Sequence, residues 1–202
     1  MAKNLRVLTL ISSPNVNSIT SQLAGKANKI IMDLYKNSEL EIIDLNNSIF
    51  NQNCLTTGNF KTFWNENESD KYIEQLKQTD LLIVAAPMVN FSIPTVLKNF
   101  IDTIAVAKKT FSYKYDAKGG SIGHLNNLKI LLITSQGAPT SWYKWSNFSG
   151  YLKGVFNFLG AERIEKIAVN GTKTDPLNKL SLDDLINKNI NKLENKIKKL
   201  LS

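Results

Sequence analysis

Short apolar runs alternate along the chain with longer segments whose apolar residues recur at helical spacing. The apolar runs predict strands at residues 6–11, 39–45, 81–85, 129–134 and 163–169. The helical spacing predicts helices at residues 18–34, 69–78, 94–104, 148–159 and 180–201. The uninterrupted apolar run at 81–85 is typical of a central parallel strand, because both faces of such a strand are covered.

This alternation of strands and helices predicts the fold class. Two parallel strands joined by a helix form a right-handed crossover, so we expect a parallel sheet with helices on both faces. Five strands suit a doubly wound α/β fold with the strand order 2-1-3-4-5. At 202 residues the chain is expected to form a single domain, 1–202, around one core.

Two segments interrupt the alternation. Residues 46–68 are rich in asparagine but contain four aromatic residues, which favours a packed functional loop over a disordered one. Residues 110–127, TFSYKYDAKGGSIGHLNN, combine a short alternating run with a Gly-Gly turn, which predicts a β-hairpin or extended arm inserted before the fourth strand.

Composition narrows the class of protein. Hydrophobic residues make up 43% of the chain and are spread along it, as in a globular protein. Cys54 is the only cysteine, which excludes an intramolecular disulfide and fits a reducing compartment. The apolar stretch after Lys3 and Arg6 is too short for a signal peptide. No window approaches the roughly 18 apolar residues of a membrane-spanning helix. We therefore expect a cytoplasmic protein that has no membrane partner.

The net charge of +8 raises the question of nucleic-acid binding. Nearly all of the positive residues are lysines, and arginine occurs only at Arg6 and Arg163. Surfaces that read bases favour the bidentate guanidinium group, so we expect no nucleic-acid partner.

The final helix also has lysines beside an apolar stripe. That pattern suits a membrane-surface helix or a helix packed on the sheet, and we favour sheet packing.

Candidate chemistry lies in three loops. In an open parallel sheet, ligands bind at the carboxyl ends of the strands, where the strand order reverses. For the order 2-1-3-4-5 this point lies between strands 1 and 3, with strand 4 beside them. The loops that leave these strands are residues 12–20, 87–94 and 135–140, so we expect them to meet at one site.

The first loop, SSPNVNSITSQL, brings hydroxyl groups to the start of a helix. Ser13, Ser18 and Thr20, with the backbone at Ile19, are candidates to bind a phosphate, because free N–H groups at a helix N-terminus favour anions. Ordinary N-capping is the alternative interpretation. The glycine-rich signatures of dinucleotide and triphosphate sites are absent from the sequence of this loop.

The second and third loops suit a planar ligand. Pro87 ends a strand and Pro94 is expected at the first position of a helix, so that residues Met88, Val89, Asn90 and Phe91 can hold an extended backbone along a flat ring. A plain strand-to-helix turn is the alternative. In the third loop, Ser135, Gln136, Gly137 and Ala138 include two small residues that allow close approach of the backbone.

The segments SSPNVNSITSQL, APMVNFSIPTVLKNFID, KTFSYKYDAKGG and LLITSQGA resemble, in order and spacing, the FMN-dependent NADH-azoreductases. This family is a quinone-reductase-like branch of the flavodoxin-like fold, and the resemblance spans nearly the whole chain. It implies a homodimer with FMN in each subunit, with the phosphate at Ser13 and the Ser18–Thr20 turn. The flavin ring would lie along the Met88–Phe91 and Ser135–Ala138 segments.

Two positions depart from the family pattern. Val89 stands where an aromatic residue is common, and Gln136-Gly137-Ala138 stands where Arg-Gly-Gly is common. These departures bear on substrate preference and flavin tuning more than on flavin binding.

The implied reaction is hydride transfer from NADH or NADPH, through FMN, to a quinone or azo acceptor. The cofactor carries this chemistry, so we expect no catalytic side chain and no metal. Trp142, Trp145, Phe111 or the aromatic residues of the 50–64 segment are candidates to cover the ring. For His124, a turn position is favoured over a catalytic role. The rival functions are a flavodoxin-type electron carrier and a flavin-free interaction module.

Overall fold

The computed structural model describes residues 4–114 and 120–202. The strands of the described chain are β1 (Arg6–Ile11), β2 (Glu39–Asp44), β3 (Leu81–Pro87), β4 (Phe111–Tyr113), β5 (Ser121–Gly123), β6 (Lys129–Gln136) and β7 (Arg163–Asn170). The α-helices are α1 (Ile19–Leu34), α2 (Phe63–Glu66), α3 (Ser69–Gln78), α4 (Thr95–Ile104), α5 (Phe148–Phe158) and α6 (Leu182–Leu201). Short 3₁₀ helices cover Leu45–Asn47, Ile49–Asn51 and Leu177–Lys179.

The central sheet is parallel and has the order β2-β1-β3-β6-β7. Counted among the central strands alone, this is the predicted doubly wound order 2-1-3-4-5, and the predicted fold class is confirmed. The inserted hairpin is also confirmed, because β4 and β5 pair antiparallel, with Phe111 opposite Gly123. Of the predicted Gly-Gly turn, Gly119 lies outside the described residues, and Gly120 adopts φ 101°.

Alternate residues of the central strands supply two apolar cores. On one face, Leu82 and Val84 of β3 pack with side chains from α3, α4 and α5. On the other face, Leu81 and Ile83 pack with side chains from α1 and α6. Residues 81–86 are therefore fully buried, which explains the uninterrupted apolar run in the sequence. The apolar stripe of α6 packs on the sheet, as favoured from its pattern.

Residues 46–68 form a packed segment rather than an open loop. The rings of Phe50 and Phe63 are fully buried, and the Phe50 carbonyl accepts a hydrogen bond from Asn99 Nδ2 of α4 at 2.8 Å. Trp64 Nε1 donates to the Asp102 carbonyl at 3.2 Å. Phe50 and Phe63 are therefore core residues of this chain, and the expectation that they cover a ligand ring is wrong.

Three predicted helix starts are wrong, and the first is that of α1, which begins at Ile19 with Ser18 as its N-cap. Pro94 was expected at the first helical position, but it is the N-cap, with ψ at 142°, and its carbonyl accepts hydrogen bonds from Leu97 and Lys98. The final helix begins at Leu182 rather than at residue 180. Ser181 and Asp184 form a reciprocal capping box there, and this local hydrogen bonding sets the helix start.

Helix α6 is tied to the edge strand β7 by ion pairs. Glu165 of β7 has a side chain only 14% exposed and accepts hydrogen bonds from Lys196 and Lys199 at 2.5 Å each. These two lysines hold the pKa of the Glu165 carboxyl below its usual value. A lowered pKa means that the carboxylate stabilises the fold above the unfolded-state pKa and loses this effect as pH falls through the folded-state pKa.

We expect Glu165→Gln to lower the free energy of unfolding at neutral pH by about 1–2 kcal/mol, between the values for exposed and buried ion pairs. The difference from wild type should begin to shrink as pH falls below the unfolded-state pKa of Glu, about 4.3, and should vanish below the lowered folded-state pKa, where the wild-type carboxylate is also neutral. Urea denaturation across this pH range measures both effects. Glu162→Gln, at a more exposed carboxylate, is the matched control. A difference that stays constant down to pH 3 would contradict the argument.

Candidate functional site

The loops after β1, β3 and β6 meet at the carboxyl edge of the sheet, as predicted. A cavity of about 500 Å³ is bordered there by residues of all three loops, among them Ser13, Ser18, Ile19, Met88, Val89, Ser135, Gln136 and Gly137. A neighbouring cavity of about 270 Å³ is bordered by Asn90, Phe91 and Ala138 and shares Met88, Gln136 and Gly137. The structure thus brings together every predicted site residue except Thr20.

The loop after β1 is fixed by short hydrogen bonds. Both the amide and the hydroxyl of Ser12 donate to the Ala85 carbonyl, at 3.1 and 2.8 Å, which ties this loop to β3. The Ser13 hydroxyl is bonded within its own turn, to the Asn15 amide and carbonyl at 3.2 Å. Asn46 Nδ2 donates to the Ser13 carbonyl at 2.9 Å. The Ser13 hydroxyl is therefore held at the cavity wall before any ligand arrives.

Ser18 is the N-cap of α1, so the capping and binding interpretations of its hydroxyl apply together. Its Oγ accepts from the Thr20 amide at 3.2 Å and lies 2.7 Å from Thr20 Oγ1. Ser18 borders the larger cavity, whereas Thr20 is fully buried and borders neither cavity. Thr20 therefore positions the Ser18 side chain from the protein interior. The positive N-terminal end of α1 points toward the cavity, where Ser18 and Ile19 form part of the wall.

The segment Met88–Phe91 is a tight turn, so the expected extended backbone is wrong. Val89 and Ser92 exchange two backbone hydrogen bonds of 2.9 Å, and the residues between them have positive φ, 44° at Asn90 and 68° at Phe91. Two successive positive φ values give a turn of the I′ type. Asn tolerates this conformation, whereas in Phe it is a strained outlier. The amides of Val89 and Ser92 donate hydrogen bonds within the turn. The amides of Asn90 and Phe91 do not take part in these bonds and can donate to other acceptors.

Phe91 is held in this conformation by residues that follow β6. The Ser146 hydroxyl donates to the Phe91 carbonyl at 3.0 Å. The Phe91 ring lies 5.1 Å from the Tyr143 ring and 4.8 Å from the Trp145 ring, measured between centroids. Trp142 extends this aromatic cluster, its ring lying 6.4 Å from that of Tyr143. These contacts offset the backbone strain and place an aromatic surface beside the smaller cavity.

The expected positions of the covering aromatics are partly corrected. Trp142 and Trp145 do lie next to the site, and they are 61% and 72% exposed. Phe111 is buried and packs on Phe158 at 4.6 Å, so it is a core residue of this chain. Tyr143 and Ser146 were not predicted, although both follow closely after the third loop. Their positions in the sequence give no indication that they contact Phe91.

A fourth loop, after β7, was also missed. Three successive amides of this loop donate to three carbonyls of the loop after β6: Gly171 to Ala138 (3.1 Å), Thr172 to Gln136 (3.2 Å) and Lys173 to Gly137 (2.9 Å). Gly171 adopts φ 80°, which glycine allows without strain. This glycine, two residues after the predicted strand, was the one available signal. The loop after β6 is thereby clamped along its length.

The site has little charge of its own. In the described part of the chain, Lys173 is the one charged side chain on the wall of either cavity. His124 lies in the hairpin, where its Nε2 is 2.8 Å from Ser112 Oγ, and it borders neither cavity. Within residues 4–114 and 120–202, no group of three or more His, Cys, Asp or Glu residues is placed to hold a metal ion. Nor does any helix of these ranges have the length and apolarity to cross a membrane.

Sequence comparison finds close relatives over most of the chain. An FMN-dependent NADH:quinone oxidoreductase of Metamycoplasma arthritidis is 52% identical over 173 residues, which cover 85% of this chain and 88% of the relative. FMN-dependent NADH:quinone oxidoreductase 1 of Mesoplasma florum is 45% identical over 162 residues, covering 78% and 81% of the two chains.

Structural comparison finds the same fold in more distant proteins. An azoreductase from Bacillus anthracis str. Sterne superposes with a TM-score of 0.81 at 20% identity, covering 96% of this chain and 99% of the other. An FMN-dependent NADH-azoreductase from Bacillus anthracis str. Ames Ancestor, crystallised in complex with FMN, superposes with a TM-score of 0.78 at 23% identity, covering 98% and 100%. The model of the flavodoxin-like fold family matches residues 5–195. The chain therefore belongs to the flavodoxin-like fold family, together with these FMN-dependent NADH:quinone oxidoreductases.

Proposed function

We propose that this protein is an FMN-dependent NADH:quinone oxidoreductase that also reduces azo compounds, built as one flavodoxin-like FMN-binding domain over residues 1–202. The observation that carries the proposal is the meeting of the β1, β3 and β6 loops around two adjoining cavities. One cavity has hydroxyl groups at a helix N-terminus, and the other has backbone and aromatic surface. Relatives named for this activity, at 52% and 45% identity, support the same assignment.

The residues present fit FMN. Ser13, Ser18 and the Ile19 backbone at the start of α1 would hold the phosphate, since α1 turns its positive end toward the larger cavity. Van der Waals contact and backbone amides along Met88–Phe91 and Ser135–Ala138 would hold the ring. Gly137 borders both cavities, and the stem of Lys173 fills the space that a side chain at this position would take.

Bound FMN would supply the N5 atom that accepts hydride from NADH and returns it to the acceptor. The chain's own groups bind, orient and exclude water. The amides of Asn90 and Phe91 are available to ring acceptors, because the turn does not use them. Phe91 and Tyr143, which border the smaller cavity, provide a surface on which a second planar molecule stacks. Quinones and azo compounds are both flat and electron-poor, which suits this surface.

An electron carrier of the flavodoxin type is the weaker alternative. A carrier docks on other proteins and needs no cavity for a hydride donor, whereas here a 270 Å³ cavity adjoins the proposed ring position. The relatives named as oxidoreductases also support an enzyme. We place the enzyme in the cytoplasm, in keeping with its single, exposed cysteine.

We further propose a homodimer. Four aromatic side chains beside the site are 40–72% exposed in the isolated chain: Phe91, Trp142, Tyr143 and Trp145. A contiguous apolar patch of this kind marks an interaction surface. A second subunit over the outer part of this patch, at Trp142 and Trp145, which border neither cavity, would keep water from the ring and leave Phe91 and Tyr143 at the smaller cavity. In a dimer with two-fold symmetry, each subunit covers the site of the other in the same way.

Ser18→Ala is expected to weaken FMN binding about tenfold to a hundredfold, because it removes a hydrogen bond to a charged group worth about 1.5–3 kcal/mol. Thr20→Val should weaken binding much less, since Thr20 borders neither cavity. Fluorescence titration of the apoprotein with FMN measures both affinities. Ser48→Ala, which removes the cap of a 3₁₀ helix, controls for the loss of a cap. Equal weakening by the Ser18 and Thr20 variants would contradict the assignment of Ser18 to the phosphate.

Ping-pong kinetics are expected, because NADH and the acceptor would use the same face of the ring in turn. Without oxygen, NADH alone should bleach the visible absorbance of bound FMN, and a quinone added afterwards should restore it. Steady-state rates at several quinone concentrations should give parallel double-reciprocal lines. Intersecting lines, with bleaching only when quinone is present, would rule out a shared face. Bleaching by one-electron donors but not by NADH would favour the carrier.

The dimer proposal predicts twice the monomer mass in sedimentation equilibrium. Trp145→Ser, in the outer part of the aromatic patch, should raise the dimer dissociation constant at least about tenfold. Leu34→Ser, at an apolar side chain that is 49% exposed on α1, should leave the dissociation constant unchanged. A fully active monomer at assay concentration would contradict the proposal.

A further inference from the structure

Lys173 is fixed at the wall of the larger cavity. Its amide donates to the Gly137 carbonyl at 2.9 Å. Its side chain packs closely against Gly137. A Cβ atom added to Gly137 would lie only 3.0 Å from the lysine Cγ. Backbone and side-chain stem are therefore positioned, while the charged end stays at the solvent-exposed rim.

The charge of Lys173 has no counterion among the described residues. Within residues 4–114 and 120–202, no carboxylate forms an ion pair with Lys173, whereas Lys179, on the same loop, pairs with Asp175 at 3.0 Å. Apart from Lys173, polar and apolar side chains without charge make up the described walls of both cavities. The positive field in the site therefore comes from Lys173 and the N-terminus of α1.

The loop that carries Lys173 is separated from the proposed phosphate position by the order of the strands. The Cγ of Lys173 lies against Gly137, directly after β6, whereas Ser13 follows β1, two strand positions away across β3. Neighbouring strands lie about 4.8 Å apart, so the two strand ends are about 10 Å apart. The three bonds from Cγ to Nζ do not span this distance. Lys173 therefore borders the larger cavity from the Gly137 side, and its ammonium group lies nearer to Gly137, where the ring is expected, than to Ser13.

We propose that Lys173 stabilises the reduced flavin by placing positive charge beside the ring edge that faces the loop after β6. This inference rests on the proposed function, because it requires FMN in the larger cavity. When NADH is oxidised to NAD⁺, its C–H bond breaks and the hydride forms the N5–H bond of the flavin. The two electrons leave the flavin with one negative charge on its N1 and C2=O edge. A nearby cation stabilises this anion more than the neutral oxidised ring.

The test is Lys173→Met, which removes the charge and keeps an unbranched side chain against Gly137. The dissociation constant of oxidised FMN should change by less than about twofold, while that of reduced FMN should rise about tenfold. This ratio lowers the two-electron midpoint potential by about 30 mV. Fluorescence titration gives the first constant, and an anaerobic titration against a reference dye gives the potential.

Three further variants sharpen the test. Lys173→Arg keeps the charge and should keep the potential near that of wild type. Lys173→Glu reverses the charge and should lower the potential further than Lys173→Met. Lys179→Met is the matched control, because it removes one lysine of the same loop whose charge is already paired and which borders neither cavity. Its potential should equal that of wild type.

The other outcomes each overturn the proposal. Equal weakening of oxidised and reduced FMN would place Lys173 at the phosphate. A raised KM for NADH with an unchanged potential would place it at the dinucleotide. An unchanged potential and unchanged affinities would make it a surface residue. If wild-type protein binds no FMN, the proposed function itself fails, and that result is seen before any variant is made.

Discussion

The hydrogen bond from the Met88 amide to the Ser135 carbonyl, at 2.7 Å, is the interaction on which the site depends. It extends the ladder between β3 and β6 one residue beyond the last register pair, Pro87 and Ser135. Both strands are buried on two faces, so their ends cannot shift without disturbing both cores. The turn after β3 and the loop after β6 therefore leave the sheet from one rigid point, and the distance between their backbones is set before a ligand binds.

Most of the fold and the location of the site could be predicted from the sequence, for one physical reason. Buried parallel strands must be apolar on both faces, and the carboxyl ends of such strands share an edge. Hence β1 and α3 were predicted to the residue, and three of the four loops that border the cavities were identified. Loop conformation could not be predicted in the same way. The sequence around Phe91 does not indicate a positive φ. The strained backbone there is stabilised by a contact with Ser146, which lies 55 residues later in the chain.

Two other features also depended on information that local sequence does not contain. Ser18 and Thr20 carry equivalent hydroxyls two residues apart, and the phase of α1 decides which of them faces the cavity. Lys173 reaches the site only because the loop after β7 pairs, amide by amide, with the loop after β6. At the two departures from the family pattern, Val89 serves the turn through its backbone, and Gln136 Nε2 donates to the Ala138 carbonyl within its own loop. Their effect on substrate preference and flavin tuning stays a prediction.

The site thus has a rigid half and an exposed half. The backbone of the loops after β1, β3 and β6 is held by the sheet, by Ser12 and by the loop after β7, so it suits a ligand that must be bound in one orientation. The aromatic cluster of Phe91, Tyr143 and Trp145 rests on ring contacts and one hydroxyl bond and is exposed in the isolated chain. Ring contacts tolerate small displacements, because dispersion is weakly directional. A tightly bound cofactor therefore belongs on the rigid half, and exchangeable planar substrates of varied shape belong on the exposed half.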